Sequence, residues 1–126
     1  MKGKKIKGVP LSTFPIDPNH KLVLAVRKID WDSLQNSNGL FQKGFEPLQP
    51  IRRIFGFLIL ESIRGLRGDE LLQQWLEIPI FQYFTGEDLF HWELPITNKE
   101  IEVCKTQISS KGFKMLNSMI DEVRKI

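Results

Sequence analysis

The chain has 126 residues, 41% hydrophobic and 26% charged, with a formal net charge of +3. That is the size and balance of one ordinary globular domain, which excludes most complete multi-domain enzymes. Its longest apolar run, Ile54–Leu60, is far below the ~18 residues that suggest a membrane span.

The charged start, Met1-Lys-Gly-Lys-Lys, is not followed by an apolar signal segment. The single cysteine, Cys104, cannot form an internal disulfide. Both features lead to the expectation of a cytoplasmic protein with no membrane partner. Charge divides unevenly along the chain. Residues 1–67 hold 12 Lys and Arg against 5 Asp and Glu, a balance of +7, while residues 68–126 hold 6 against 10, a balance of −4. A basic first half is what phosphate binding requires electrostatically, and it is also what keeps a small protein soluble.

Residues 1–18 contain four lysines and three prolines, Pro10, Pro15 and Pro18, and read as a flexible basic arm, extended or disordered. Residues 19–126 then form the folded domain. A helix begins near Pro18-Asn19, with Leu22, Val23, Val26 and Ile29 on one face. Asn36-Ser37-Asn38-Gly39 punctuates the chain, and 39–49 reads as a loop.

The strongest helical pattern runs over 50–66. Pro50 suits a first turn, and the wide apolar face from Ile51 to Leu66 marks the central core helix. Its cations are arginines: Arg52, Arg53 and Arg64, with Arg67 just beyond. Arg53 and Arg64 differ by only ~20° around a helix axis, so they read as one basic stripe, with Glu61–Arg64 pairing as the alternative. A further helix starts near Asp69, buries Leu71, Leu72, Trp75 and Leu76, and ends before Pro79. A short aromatic helix follows over 80–84. Phe81, Tyr83, Phe84, Phe90 and Trp92 lie among Glu87, Asp88 and Glu93, which favours core packing over base stacking.

Thr97-Asn-Lys-Glu100 is a capping box, and the helix behind it extends towards Gly112. A last helix carries Phe113, Leu116, Ile120 and Val123 on one side. No run shows strand alternation. The expectation is an all-α domain of about six helices with a helix-turn-helix-like core.

No pattern indicates catalysis. His20 and His91 are remote from each other, and Cys104 at a periodic apolar position reads as a core residue. Two histidines and one cysteine spread across the chain do not make a zinc site. Gly65-Leu-Arg-Gly68 is too short for a phosphate loop. Asp30 and Asp32 do not form a carboxylate pair. No catalytic residue, cofactor site, metal site or small-molecule substrate is therefore expected.

Five segments carry a family resemblance. They are His-Lys-Leu-Val…Ile-Asp-Trp-Asp at 20–32, Pro-Ile-Arg-Arg…Gly-Phe-Leu-Ile-Leu at 50–60, Gly-Asp-Glu-Leu-Leu-Gln-Gln-Trp-Leu-Glu-Ile-Pro at 68–79, Phe-Gln-Tyr-Phe-Thr-Gly-Glu at 81–87 and Phe-His-Trp-Glu-Leu-Pro at 90–95. Over roughly 19–111 the chain resembles the N-terminal domain of InsH-type insertion-sequence transposases. The resemblance implies a helical DNA-binding and assembly domain that normally precedes a catalytic domain with three metal-binding carboxylates. Fifteen residues after 111 leave no room for that domain, so a truncated or split, non-catalytic form is expected. The helix after Pro95, rich in arginine in such transposases, holds two glutamates and no arginine here.

The expected DNA-binding residues are Arg52, Arg53, Arg64, Arg67, Lys99, Lys105 and Lys111. The alternative is a protein-interaction module that pairs with itself or with a full-length transposase, or a decaying transposase fragment.

Overall fold

The computed structural model describes residues 8–126. In chain order these form a short strand β1 (Val9–Pro10), a 3-10 turn (Leu11–Thr13), helices α1 (Lys21–Lys28), α2 (Trp31–Gln35), α3 (Ile51–Arg64), α4 (Gly68–Glu77) and α5 (Pro79–Phe84), strand β2 (Leu89–Phe90), and helices α6 (Asn98–Gln107) and α7 (Ser110–Arg124). The domain is all-α, with seven α-helices among the described residues rather than about six. Its two strands form one antiparallel pair, Val9 opposite Phe90 and Pro10 opposite Leu89. Two-residue strands leave no alternation to read, which is why the sequence pattern shows none.

Helix α3 is the hub. Ile54 to Leu60 are all buried, and the helix packs against α2, α6 and α7. Pro50 stands one residue outside it as the N-cap, and Gly65 ends it in the left-handed conformation at φ 67°. A residue buried on every side of a helix needs neighbours all round, and α3 has them. Helix α5 packs against α1 and α4, and α1 also meets α7. Pro79 separates α4 from α5 and serves as the first residue of α5. Among the described residues no helix is long and apolar enough to cross a membrane.

Of the arm expected over 1–18, residues 1–7 lie outside the described residues, and the rest is corrected: it is docked. Leu11 is buried and its N–H donates to the Asp88 carbonyl at 2.9 Å. Phe14 stacks on Phe90 with ring centroids 4.9 Å apart. The prolines that suggested a free arm instead hold an extended path across the domain.

The boundary between the last two helices also moves. Helix α6 ends at Gln107, Ser109 caps α7 by accepting from the Gly112 N–H at 3.0 Å, and Gly112 lies inside the first turn of α7. The junction is stitched to the 39–42 loop: Ser109 N–H donates to the Leu40 carbonyl at 2.9 Å, and Gln42 N–H to the Gln107 carbonyl at 2.6 Å. Lys111 therefore belongs to α7.

Candidate functional site

Arg52 and Arg53 begin the first turn of α3 and point in different directions, as neighbours about 100° apart on a helix must. Arg53 reaches Glu87 through both carboxylate oxygens, Nε to Oε2 at 2.9 Å and Nη2 to Oε1 at 2.5 Å, and its Nη1 donates to Gln49 Oε1 at 2.9 Å. The Glu87 side chain is 5% exposed and that of Arg53 16%. A carboxylate so buried needs a paired charge and hydrogen bonds, and the two-pronged guanidinium supplies both.

The rest of the cluster satisfies what remains. His91 Nε2 lies 2.8 Å from Glu87 Oε1. Trp75 Nε1 donates to Thr85 Oγ1 at 2.9 Å, and that hydroxyl sits 3.2 Å from Glu87 Oε2. Gln82 is fully buried; its Oε1 accepts from the His91 N–H at 2.7 Å and its Nε2 donates to the His91 carbonyl at 3.1 Å. This is a closed polar core, with every charged oxygen engaged.

Arg52 is held on the other side. Its guanidinium lies 4.4 Å from the Trp31 ring centroid, and Nη2 lies 3.4 Å from both the Tyr83 and Phe84 carbonyls. A cation over these last carbonyls of α5 complements the negative end of the helix. Burial lowers its pKa from the usual arginine value. Gly86, at φ 88°, lets the backbone pass close by: a Cβ there would lie 2.7 Å from Arg52 Cδ.

The structure thus separates the seven expected DNA-binding residues. Arg52, Arg53 and Lys105 are engaged within the domain. Lys105 Nζ donates to Glu61 Oε1 at 2.9 Å and to Glu102 Oε2 at 3.3 Å, and the Glu61 hydrogen bond is the main cause of its raised pKa. Glu61 consequently pairs with α6 rather than with Arg64. Arg64, Arg67, Lys99 and Lys111 are exposed. Arg64 keeps its guanidinium 5.3 Å from the Phe81 ring centroid, and Lys111 donates to the Asn38 carbonyl at 2.6 Å. The single Arg53–Arg64 stripe is corrected: Arg53 is drawn inward by a carboxylate 34 positions away, which helical spacing cannot reveal.

The aromatics divide as well. Phe81 and Phe84 are core residues, in line with the packing reading. Trp92 is 52% exposed and meets Phe90 edge to face at 4.7 Å, so with Phe14 these rings form a surface ladder. Cys104 is buried, and burial raises its thiol pKa. His20 caps α1, its Nδ1 accepting from the Leu22 N–H at 3.1 Å, and Asp30 caps α2 through the Ser33 N–H at 3.0 Å. The Asp30 cap is of a kind open to sequence reading, because short polar side chains compete for free helix N–H groups, whereas a histidine cap carries no such signal. Among the described residues no three His, Cys, Asp or Glu side chains gather to hold a metal ion.

A second feature lies between the 45–49 loop and α6. Phe45, Pro47, Leu48, Thr97, Val103 and Cys104 line a largely apolar groove of about 450 Å³, with Glu46 and Lys99 on the same lining. Gln49 ties the loop to α6, donating through Nε2 to the Pro95 carbonyl at 2.9 Å and to Glu100 Oε2 at 3.1 Å. Sequence reading missed this groove; an isolated leucine in a Pro-containing loop gives no periodic signal.

Compared with known proteins, the chain matches no family model and no solved structure. It is 26% identical over 102 residues to a Rhizobium meliloti protein described as "Uncharacterized protein ORF8 in nfe locus". That match takes in 80% of this chain and 49% of the relative, so the chain spans about half the relative's length.

Proposed function

We propose that this chain is a non-catalytic DNA-binding and assembly domain of the insertion-sequence transposase type, acting in the cytoplasm as part of a transposition system. The observation that carries the reading is the convergence of the resembling segments. Arg53 from Pro-Ile-Arg-Arg, Trp75 from Gln-Gln-Trp, Gln82, Thr85 and Glu87 from the 81–87 segment, and His91 from Phe-His-Trp all meet in one polar core. Four of the five motif segments therefore act as one architectural unit, as a shared domain would require.

Within that reading, DNA contact falls to Arg64, Arg67 and Lys111, the exposed expected cations that lie off the groove beside α6. These cations act on phosphates and carry little sequence discrimination. Helix α6 exposes Glu102 and Val103 and gives Lys105 to Glu61, which leaves few donors for base edges.

The test is duplex binding by fluorescence anisotropy across a salt series. Affinity should fall by about 0.9 log unit per log unit of salt for each phosphate neutralised. Replacing Arg64, Arg67 and Lys111 together by Ala should flatten the slope by up to about 2–3 units. An unchanged slope in a folded triple variant would remove these residues from the interface. A specific observation favours a second reading, a protein-interaction module: the apolar groove beside the exposed face of α6.

A further inference from the structure

We infer that the groove between the 45–49 loop and α6 is a two-fold interface that binds a second copy of this chain. The inference supplies the assembly part of the reading above and rests on it. Leu48 is 93% exposed, more than any other large hydrophobic residue among those described, and it lines the same groove as Phe45, Val103 and Cys104. A protruding side chain beside a hollow of its own character is self-complementary in shape. Under a two-fold operation each Leu48 enters the partner's groove.

Charge has the same arrangement. Glu46 and Lys99 border this groove, are exposed, and form no ion pair with any described residue. In a symmetric contact, where residue i meets j and j meets i, Glu46 of one copy faces Lys99 of the other twice over. Val103, on the groove lining, is itself 39% exposed. Two of the seven exposed large hydrophobics among the described residues, Leu48 and Val103, thus share one groove bordered by charge, the pattern of an interface core with a polar rim. The face is also built to stay in place, because Gln49 fixes the loop to α6 at two points and to Arg53 at a third.

The experiment is sedimentation equilibrium of the full chain without DNA, over a range of protein concentrations, with thermal melting to confirm folding. The wild type should show a reversible monomer–dimer equilibrium. Leu48→Glu, at an exposed site with no packing to lose, should keep the melting temperature and abolish the dimer. Glu46→Lys and Lys99→Glu should each weaken dimerisation at least tenfold, and the Glu46→Lys/Lys99→Glu double variant should recover it. A wild type that stays monomeric, a dimer indifferent to Leu48→Glu, or a double variant no better than the single ones would each overturn the inference. A monomeric wild type that still binds duplex with the expected salt slope would sink the interface and leave the DNA reading standing. A dimer without DNA affinity would do the reverse.

Discussion

Arg53 and Glu87, 34 residues apart, close on each other through two nitrogen–oxygen contacts at 2.9 and 2.5 Å with both side chains largely out of water. The pair joins the first turn of α3 to the segment after α5. Removing one partner leaves an uncompensated charge where solvent cannot reach it, which costs about 3–5 kcal/mol. Arg53→Ala and Glu87→Ala should therefore each lower urea stability by about that amount, while Arg53→Met with Glu87→Leu should lose clearly less than the sum. A loss below about 1 kcal/mol for Arg53→Ala would mean that the bridge behaves as an exposed one.

Local rules explain why parts of this architecture are legible in the sequence. Thr97 and Glu100 are three residues apart, so their capping box is visible in four letters, and Pro79 marks a helix break without outside help. The apolar width of 51–66 correctly identifies α3 as the central helix, since burial all round leaves a direct trace in composition. Arg53 is different. Its helical position is legible, but its direction is set by Glu87, and no spacing rule links the two. The same holds for Lys105, claimed by Glu61 from another helix, and for Leu11, whose N–H is held by the distant Asp88 carbonyl. Charge composition therefore indicated a basic half, and tertiary pairing decided which cations remain at the surface.

The capping box predicts a pH dependence. Glu100 Oε1 accepts from the Thr97 N–H at 2.9 Å while Gln49 donates to Oε2 at 3.1 Å, and these bonds, that from Gln49 first, lower the carboxyl pKa. Hydrogen bonds to the ionised form favour it. A folded-state value below the unfolded one gives stability that is fully present above the unfolded pKa and lost as pH falls through the folded pKa. Carboxyl NMR titration should place Glu100 below an ordinary glutamate, and Gln49→Leu should move it upward. Thr97→Ala should move it upward too and cost about 1 kcal/mol as a lost N-cap. An unshifted Glu100 in the wild type would mean that the box does not persist in solution.

Gly112 offers the sharpest test of how α7 is seated. Inside an exposed helix, replacing Gly by Ala stabilises by about 0.8–1 kcal/mol. Here a Cβ would overlap the Leu40 carbonyl oxygen and press on Ile108 Cγ1 at 2.8 Å, because the first turn of α7 lies directly on the 39–42 loop. That carbonyl also accepts the Ser109 N–H, so it cannot retreat without breaking the junction between α6 and α7. Overpacking should outweigh helix propensity, and Gly112→Ala should lose about 1–3 kcal/mol. Ser110→Ala, in the same turn but exposed, should stay within about 0.5 kcal/mol of wild type. A stabilised Gly112→Ala protein would show that α7 does not rest on the Leu40 backbone.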